Sequence, residues 1–178
     1  MTTKVYLLHD SRMALHHPLP SLQKKDRDSD DDYDAAPFEN SDRIAAIYNK
    51  LLNLEVRLLL TSQWMFSNHE SQRRFLELEC KPVSRETVEL VHSSTHFDEM
   101  RETQFMSETE LRDMAVPYDL YFNHFTFLAA SLACGGVVQC VDAVTNDNAE
   151  TMRAIAVVRP PGHHACKDEA MGELLVSR

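Results

Sequence analysis

Ala154-Ile155-Ala156-Val157-Val158-Arg159-Pro160-Pro161-Gly162-His163-His164-Ala165 is the stretch whose reading decides the fold. Its first five residues are small or β-branched and carry no charge, the pattern of a short strand buried on both faces. The proline pair removes two backbone donors and stops that strand abruptly. His163 and His164 therefore stand in the loop just past a strand's carboxyl end, the rim of an open α/β sheet where ligand sites gather. Pro-Pro-Gly restricts the local path, so both rings issue from a stiff base. Imidazole titrates near neutrality, and two neighbouring rings can hold one neutral as base and the other charged as acid. A bare histidine pair in a loop more often serves only for hydrogen bonding. The position after a buried strand favours the chemical reading and makes His163 and His164 the catalytic candidates.

Working outward, residues 121–144 form the longest helical segment, with Phe125, Leu128, Leu132, Val137, Val138 and Val141 on a broad apolar stripe. Gly135-Gly136 inside it costs about 2 kcal/mol of helix propensity against alanine, which implies a closely packed partner as compensation. Residues 145–151 are a polar turn. Helix, turn, strand and loop in that order are half of an α/β unit.

Residues 4–8 (KVYLL) read as a short strand entering the sheet. His16-His17-Pro18 follows without a preceding strand or fixed turn, and its histidines are expected at the surface. Residues 26–34 (DRDSDDDYD) repel one another and form a solvated acidic loop; no EF-hand spacing is present, so calcium is not expected there. Asn40 or Ser41 caps a helix whose stripe of Ile44, Ile47, Tyr48, Leu51 and Leu52 is core. Residues 54–66 are apolar enough to continue it or to form another buried segment, with Trp64 as packing. Residues 80–83 suit a short strand, and Ser84 caps a helix through Val88, Leu90 and Val91. His92 and His96, four apart, could be half of a metal site, but no third ligand stands at a recognisable spacing, so a structural role is favoured. Ser107 and Glu110 have the spacing of a capping box.

Composition sets outer bounds. A chain of 178 residues holds one domain with a real core. A net charge of −10 opposes a general grip on nucleic acid and suits a basic partner. The N-terminus lacks a basic then apolar leader pattern, and no stretch reaches the roughly 18 consecutive apolar residues of a membrane span. The expectation is a soluble intracellular protein of the nucleus or cytoplasm. Cys80, Cys134, Cys140 and Cys166 have no C-x-x-C spacing and read as free thiols.

Residues 159–165, followed by Asp168-Glu169-Ala170-Met171-Gly172, resemble the histidine-pair motif of the zinc-dependent histone deacetylases of class II. Tyr121-Phe122-Asn123, Ala129-Ala130-Ser131-Leu132-Ala133-Cys134-Gly135-Gly136, and Arg85-Glu86-Thr87 with Val91-His92-Ser93 through His96 resemble segments of the same family. So do Asp10-Ser11-Arg12-Met13 and the Arg43-Ile44 helix start. The family's His-Pro-Glu element before that helix is degenerate here, reading Ala35-Ala36-Pro37-Phe38-Glu39-Asn40.

The resemblance implies a three-layer αβα arginase/deacetylase-like fold with a mostly parallel sheet. It implies hydrolysis of acetyl-lysine amides with zinc and an acid/base pair at His163 and His164. It also offers Asp119 as a substrate contact, with a charge favoured by the macrodipole at a helix N-terminus as the equal alternative, and Gly162 beside the pair as another contact. Acetylated histone tails or other acetyl-lysine proteins, and subunits of a deacetylase or corepressor complex, would be the partners, with a role in chromatin and transcriptional repression. The likeness spans residues 1–172, the acidic loop at 26–40 included, and stops at Gly172; Glu173-Leu174-Leu175-Val176-Ser177-Arg178 diverges. No Asp-x-His, the family's metal-holding element, occurs anywhere in the sequence. The chain is therefore expected to be a truncated, inactive fragment that binds no catalytic zinc. Two other readings stay open: a non-catalytic interaction protein, and a deacetylase of another acetylamide such as an acetylpolyamine.

Overall fold

Val5–His9 (β1) lies between Phe75–Leu78 (β2) and Ala154–Val157 (β3) in a three-stranded sheet whose pairings are both parallel. The computed structural model describes residues 5–19, 40–61, 75–115, 121–146, 153–162 and 165–170. Leu7 is in register with Glu77 and Ile155, and Leu8 with Leu78 and Ala156. Leu7 and Leu8 are both buried although they point to opposite faces, so the middle strand is covered on both sides.

The covers are two helices, Asp42–Thr61 (α1) and Thr126–Asn146 (α5). Tyr48 of α1 stacks on His9 at 4.4 Å and donates to Glu77, the partner of Leu7, which puts α1 on the odd-numbered face of β1. Leu8 on the even face meets Gly136 of α5. The result is an αβα sandwich, the layering expected. A 3-10 turn, Ser11–Leu15, follows β1, and three shorter helices, Arg85–Val88 (α2), Ser94–Glu102 (α3) and Glu108–Ala115 (α4), come between β2 and α5 in the chain.

The glycine pair in α5 has the close partner its cost implies. A Cβ at Gly135 would collide with the Lys81 carbonyl oxygen and stand 2.6 Å from the Val83 nitrogen; one at Gly136 would stand 2.5 Å from Leu8 Cδ2. Residues 79–84 cross the helix here. Val83 N donates to the Ser131 carbonyl at 2.9 Å, and Gln139 brackets Lys81 through its amide and carbonyl. Among the described residues α5 is the helix long and apolar enough to cross a membrane by composition. One side of it is packed on β1, β3 and the 3-10 turn.

Several expectations need correction. The strand anticipated at residues 80–83 lies at Phe75–Leu78, because 80–83 uses its backbone groups on α5 instead of a neighbouring strand. Residues 121–125 are not helical, since Asn123 caps the helix from within that segment: its Oδ1 accepts from Phe125 N at 2.8 Å and its carbonyl from Thr126 N. The buried side of α5 is Ala129, Ala130, Leu132, Ala133, Gly136 and Cys140, while Phe125, Val138 and Val141 of the anticipated stripe are exposed. Small residues let the helix approach the sheet closely, and that governs which side faces in. The helix after Ser84 ends at Val88, leaving Leu90 82% exposed. In α1, Ile44 is buried but Ile47 is exposed; α1 starts behind Asn40, whose Oδ1 accepts from Asp42 N at 3.0 Å, and continues to Thr61. The acidic loop at 26–34, Trp64 and the tail at 173–178 lie outside the described residues. The capping box forms as spaced, with Ser107 N and Oγ each 2.7 Å from Glu110 Oε2.

Candidate active site

All three strands run the same way, so the loops leaving β1 and β3 emerge at one rim. The loop after β3 begins with Arg159, whose side chain turns inward and is 1% exposed. Its Nη1 donates to the carbonyls of Met13, at 3.4 Å, and of His16; its Nη2 donates to the Tyr121 hydroxyl. Its backbone nitrogen faces Met13 Sδ at 3.4 Å. One planar guanidinium thus fastens the loop after β3 to the loop after β1 and to the segment before α5, a task suited to its fork of donors. Pro160 and Gly162 beyond it are buried as well.

The loop after β1 is held from the other side. Asn123 Nδ2 donates to the carbonyls of Leu15 at 2.8 Å and His17 at 2.9 Å, while Asn123 N donates to Thr126 Oγ1. His16 is 3% exposed, stacked on Tyr121 at 4.7 Å, with Nδ1 3.0 Å from Thr126 Oγ1. The expectation of a surface residue is therefore wrong for His16: the partners around it come from α5, the segment before it and the loop after β3, far away in sequence. Burial, then the Arg159 charge, then His17 push its pKa down to about 3, so the ring is neutral at pH 7.

Beyond the histidine pair the chain is fastened again. His92 Nδ1 lies 3.1 Å from the Lys167 carbonyl oxygen, and Ser93 N donates to that same oxygen at 3.2 Å. A carbonyl can only accept, so Nδ1 carries the proton. Cys166 N donates to Glu169 O at 2.9 Å, closing a turn, and Ala170 is buried in a cluster with Met100, Leu111, Phe122 and Ala130. His92 and His96 are each 2% exposed and stack at 4.9 Å, the structural role expected of them. Burial lowers the His92 pKa, the bond to Lys167 opposing it. The neighbouring Arg85 binds Asp98 through two nitrogens at 2.9 and 3.0 Å and Glu89 at 2.6 Å, with Phe97 beneath it at 5.0 Å.

Gly162 is thus placed at the rim, next to the pair. His163, His164 and Asp119 lie outside the described residues. Among the described residues no three of His, Cys, Asp and Glu gather around a point that could hold a metal ion. Arg159, His16, Tyr121 and Asn123 were not singled out from their chemistry as parts of the site's frame. The one signal was Arg159 itself, a cation set between a buried strand and a proline pair.

The model of the family described as "Histone deacetylase domain" matches residues 37–173. The polyamine deacetylase HDAC10 of Homo sapiens is 38% identical over 102 residues, 57% of this chain and 15% of its own length. The histone deacetylase HDA1 of Candida albicans is 30% identical over 175 residues, 98% of this chain and 20% of its own. The crystal structure of the HDA15 HD domain superposes with a TM-score of 0.68 at 25% identity, covering 99% of this chain and 41% of that one. The chain thus spans at most a fifth of the length of these two curated relatives, and less than half of the solved domain.

Proposed function

Because the chain belongs to the histone deacetylase family, we propose that it carries the acid/base half of an amide-hydrolysing centre, with His163 and His164 moving the protons. The observation that carries this reading is the double fastening of their loop. Arg159 ties its start to the loop after β1, and the Lys167 carbonyl ties its end to His92 and Ser93. A catalytic pair needs such a base, since misplacement by an ångström costs rate steeply. One imidazole would accept the proton of the attacking water and the pair would return it to the leaving amine. Asp119 is proposed to hold substrate backbone from the rim, and Gly162 to border the bound chain.

Zinc chemistry is assigned to no residue of this polypeptide, because the sequence contains no Asp-x-His. Two bases without Lewis-acid or oxyanion stabilisation supply little of the rate. The 178-residue polypeptide is accordingly proposed to be inactive alone, as the front part of a deacetylase domain. Its net charge of −10 favours basic partners such as acetylated histone tails, and nuclear or cytoplasmic residence with deacetylase or corepressor subunits follows the same reading. The likeness to a relative named polyamine deacetylase gives an acetylated polyamine a place as second substrate class.

The test incubates the polypeptide with zinc and either an acetyl-lysine peptide or an acetylated polyamine, and measures acetate. No release above buffer is expected. Zinc-dependent release that disappears in His163→Ala would overturn the inactivity while upholding the role of the pair.

A further inference from the structure

We infer that the outer edge of β3 is a docking site for a strand supplied in trans, by a polypeptide that carries the part of a deacetylase domain outside this chain's match. The inference rests on the family membership and the sheet, and does not depend on the proposed proton transfer.

Tyr6 N donates to Arg153 O at 3.0 Å, and this bond sets the phase of the ladder. Successive residues of a strand turn their backbone groups to opposite sides. With Tyr6 opposite Ala154 and Leu8 opposite Ala156, Ile155 spends its N–H and C=O on β1, while those of Ala154, Ala156 and Val158 turn outward. β3 is an end strand of the sheet, and among the described residues those outward groups bond no other main chain.

Natural sheets guard an open edge with charge, proline or a bulge. At the opposite edge β2 contains Glu77 and runs into Glu79 and Lys81. Ala154-Ile155-Ala156-Val157-Val158 has no such residue; Arg153 and Pro160 stand only outside it. Leu7 and Leu8 are buried on opposite faces of the middle strand, so this sheet is covered on both sides and a further strand must be nearly all apolar. The segment that fits is extended and neutral, and is joined through main-chain hydrogen bonds. The superposition points to its source. This chain lies over 99% of its length on 41% of the HDA15 HD domain, so more than half of that domain has no counterpart in these 178 residues.

The test coexpresses the 178-residue chain, tagged, with a polypeptide holding only the part of the HDA15 HD domain that the superposition leaves uncovered. Amide hydrogen exchange is read in the chain alone and in the copurified material. Alone, the Ala156 and Val158 amides should exchange freely while those of Ile155 and Val157 are protected by β1. The two polypeptides should copurify in equal amounts, and exchange at Ala156 and Val158 should then slow at least about tenfold. Ala156→Pro removes an outward N–H and no bond to β1, as an edge proline does. It should abolish copurification while amides of α5 exchange as in the wild type. Ala154→Pro, at the first residue of the strand, should act the same way and decides the matter where Ala156→Pro loosens the helix. Slow exchange at Ala156 and Val158 in the dilute chain alone would overturn the inference, because the edge would already be covered. Slowing that grows with the chain's own concentration would overturn it in favour of a second copy. Absence of copurification, or its survival in both proline variants, would overturn it as well. No readout is turnover, so a failure of the proposed activity is read separately.

Discussion

His16 is neutral at pH 7 because desolvation by α5 and the adjacent Arg159 charge hold its pKa near 3, against an ordinary 6.5. The sign follows from linkage. In the fold the ring stays unprotonated down to about pH 3, whereas the unfolded chain takes up a proton below about 6.5. The contribution is complete above that value and is lost as pH falls toward 3. Stability should drop by about 2 kcal/mol between pH 7 and about pH 5 on this account. Denaturant midpoints at the two pH values check it, with His16→Asn expected to remove most of that difference. Arg159→Met should cost about 3 kcal/mol, since a side chain of similar reach leaves buried acceptors at His16, Met13 and Tyr121 without their donor. Chemical denaturation at constant m-value would register it. Neither effect was legible in the sequence, where His16-His17-Pro18 reads as a surface loop. What buries His16 is Thr126, 110 residues on, and an arginine 143 residues on.

At the scale of elements, α5 shows what periodicity can and cannot reveal. Its existence, its length to within a few residues, and the need for something packed against Gly135-Gly136 were readable. Its buried side was readable only in part: Leu132 of the anticipated stripe is buried, but hydropathy ranks Val138 and Val141 above Ala129 and Ala133, while the sheet selects for close approach. Glycine to alanine in an exposed helix gains about 1 kcal/mol. Here the sign should invert. Gly135→Ala would push against backbone at Lys81 and Val83 and should cost more than about 2 kcal/mol, whereas Gly136→Ala meets only the movable end of Leu8 and should cost less. Thermal unfolding of the two variants measures the order. The strand placed at 80–83 failed for the same reason: those residues spend their hydrogen bonds on α5, a partner that local pattern does not contain.

For the whole molecule, one strand-and-turn sequence, Ala154 to Gly162, was enough to indicate a strand of an open α/β sheet whose following loop leaves at the carboxyl rim. The strand order β2-β1-β3 was not, since it depends on pairings across the full chain. The site's frame was half legible. The histidine pair and its turn stood out by residue type, while the two fastenings at Arg159 and Lys167 required three dimensions. The central claim is that this polypeptide carries the proposed acid/base pair and not the metal-holding part of the centre. Equilibrium dialysis of the 178-residue chain against buffered zinc at neutral pH tests it most directly. The account predicts no stoichiometric site, only weak uptake that His163→Ala leaves unchanged; one equivalent of zinc held tightly and released by that substitution would contradict it.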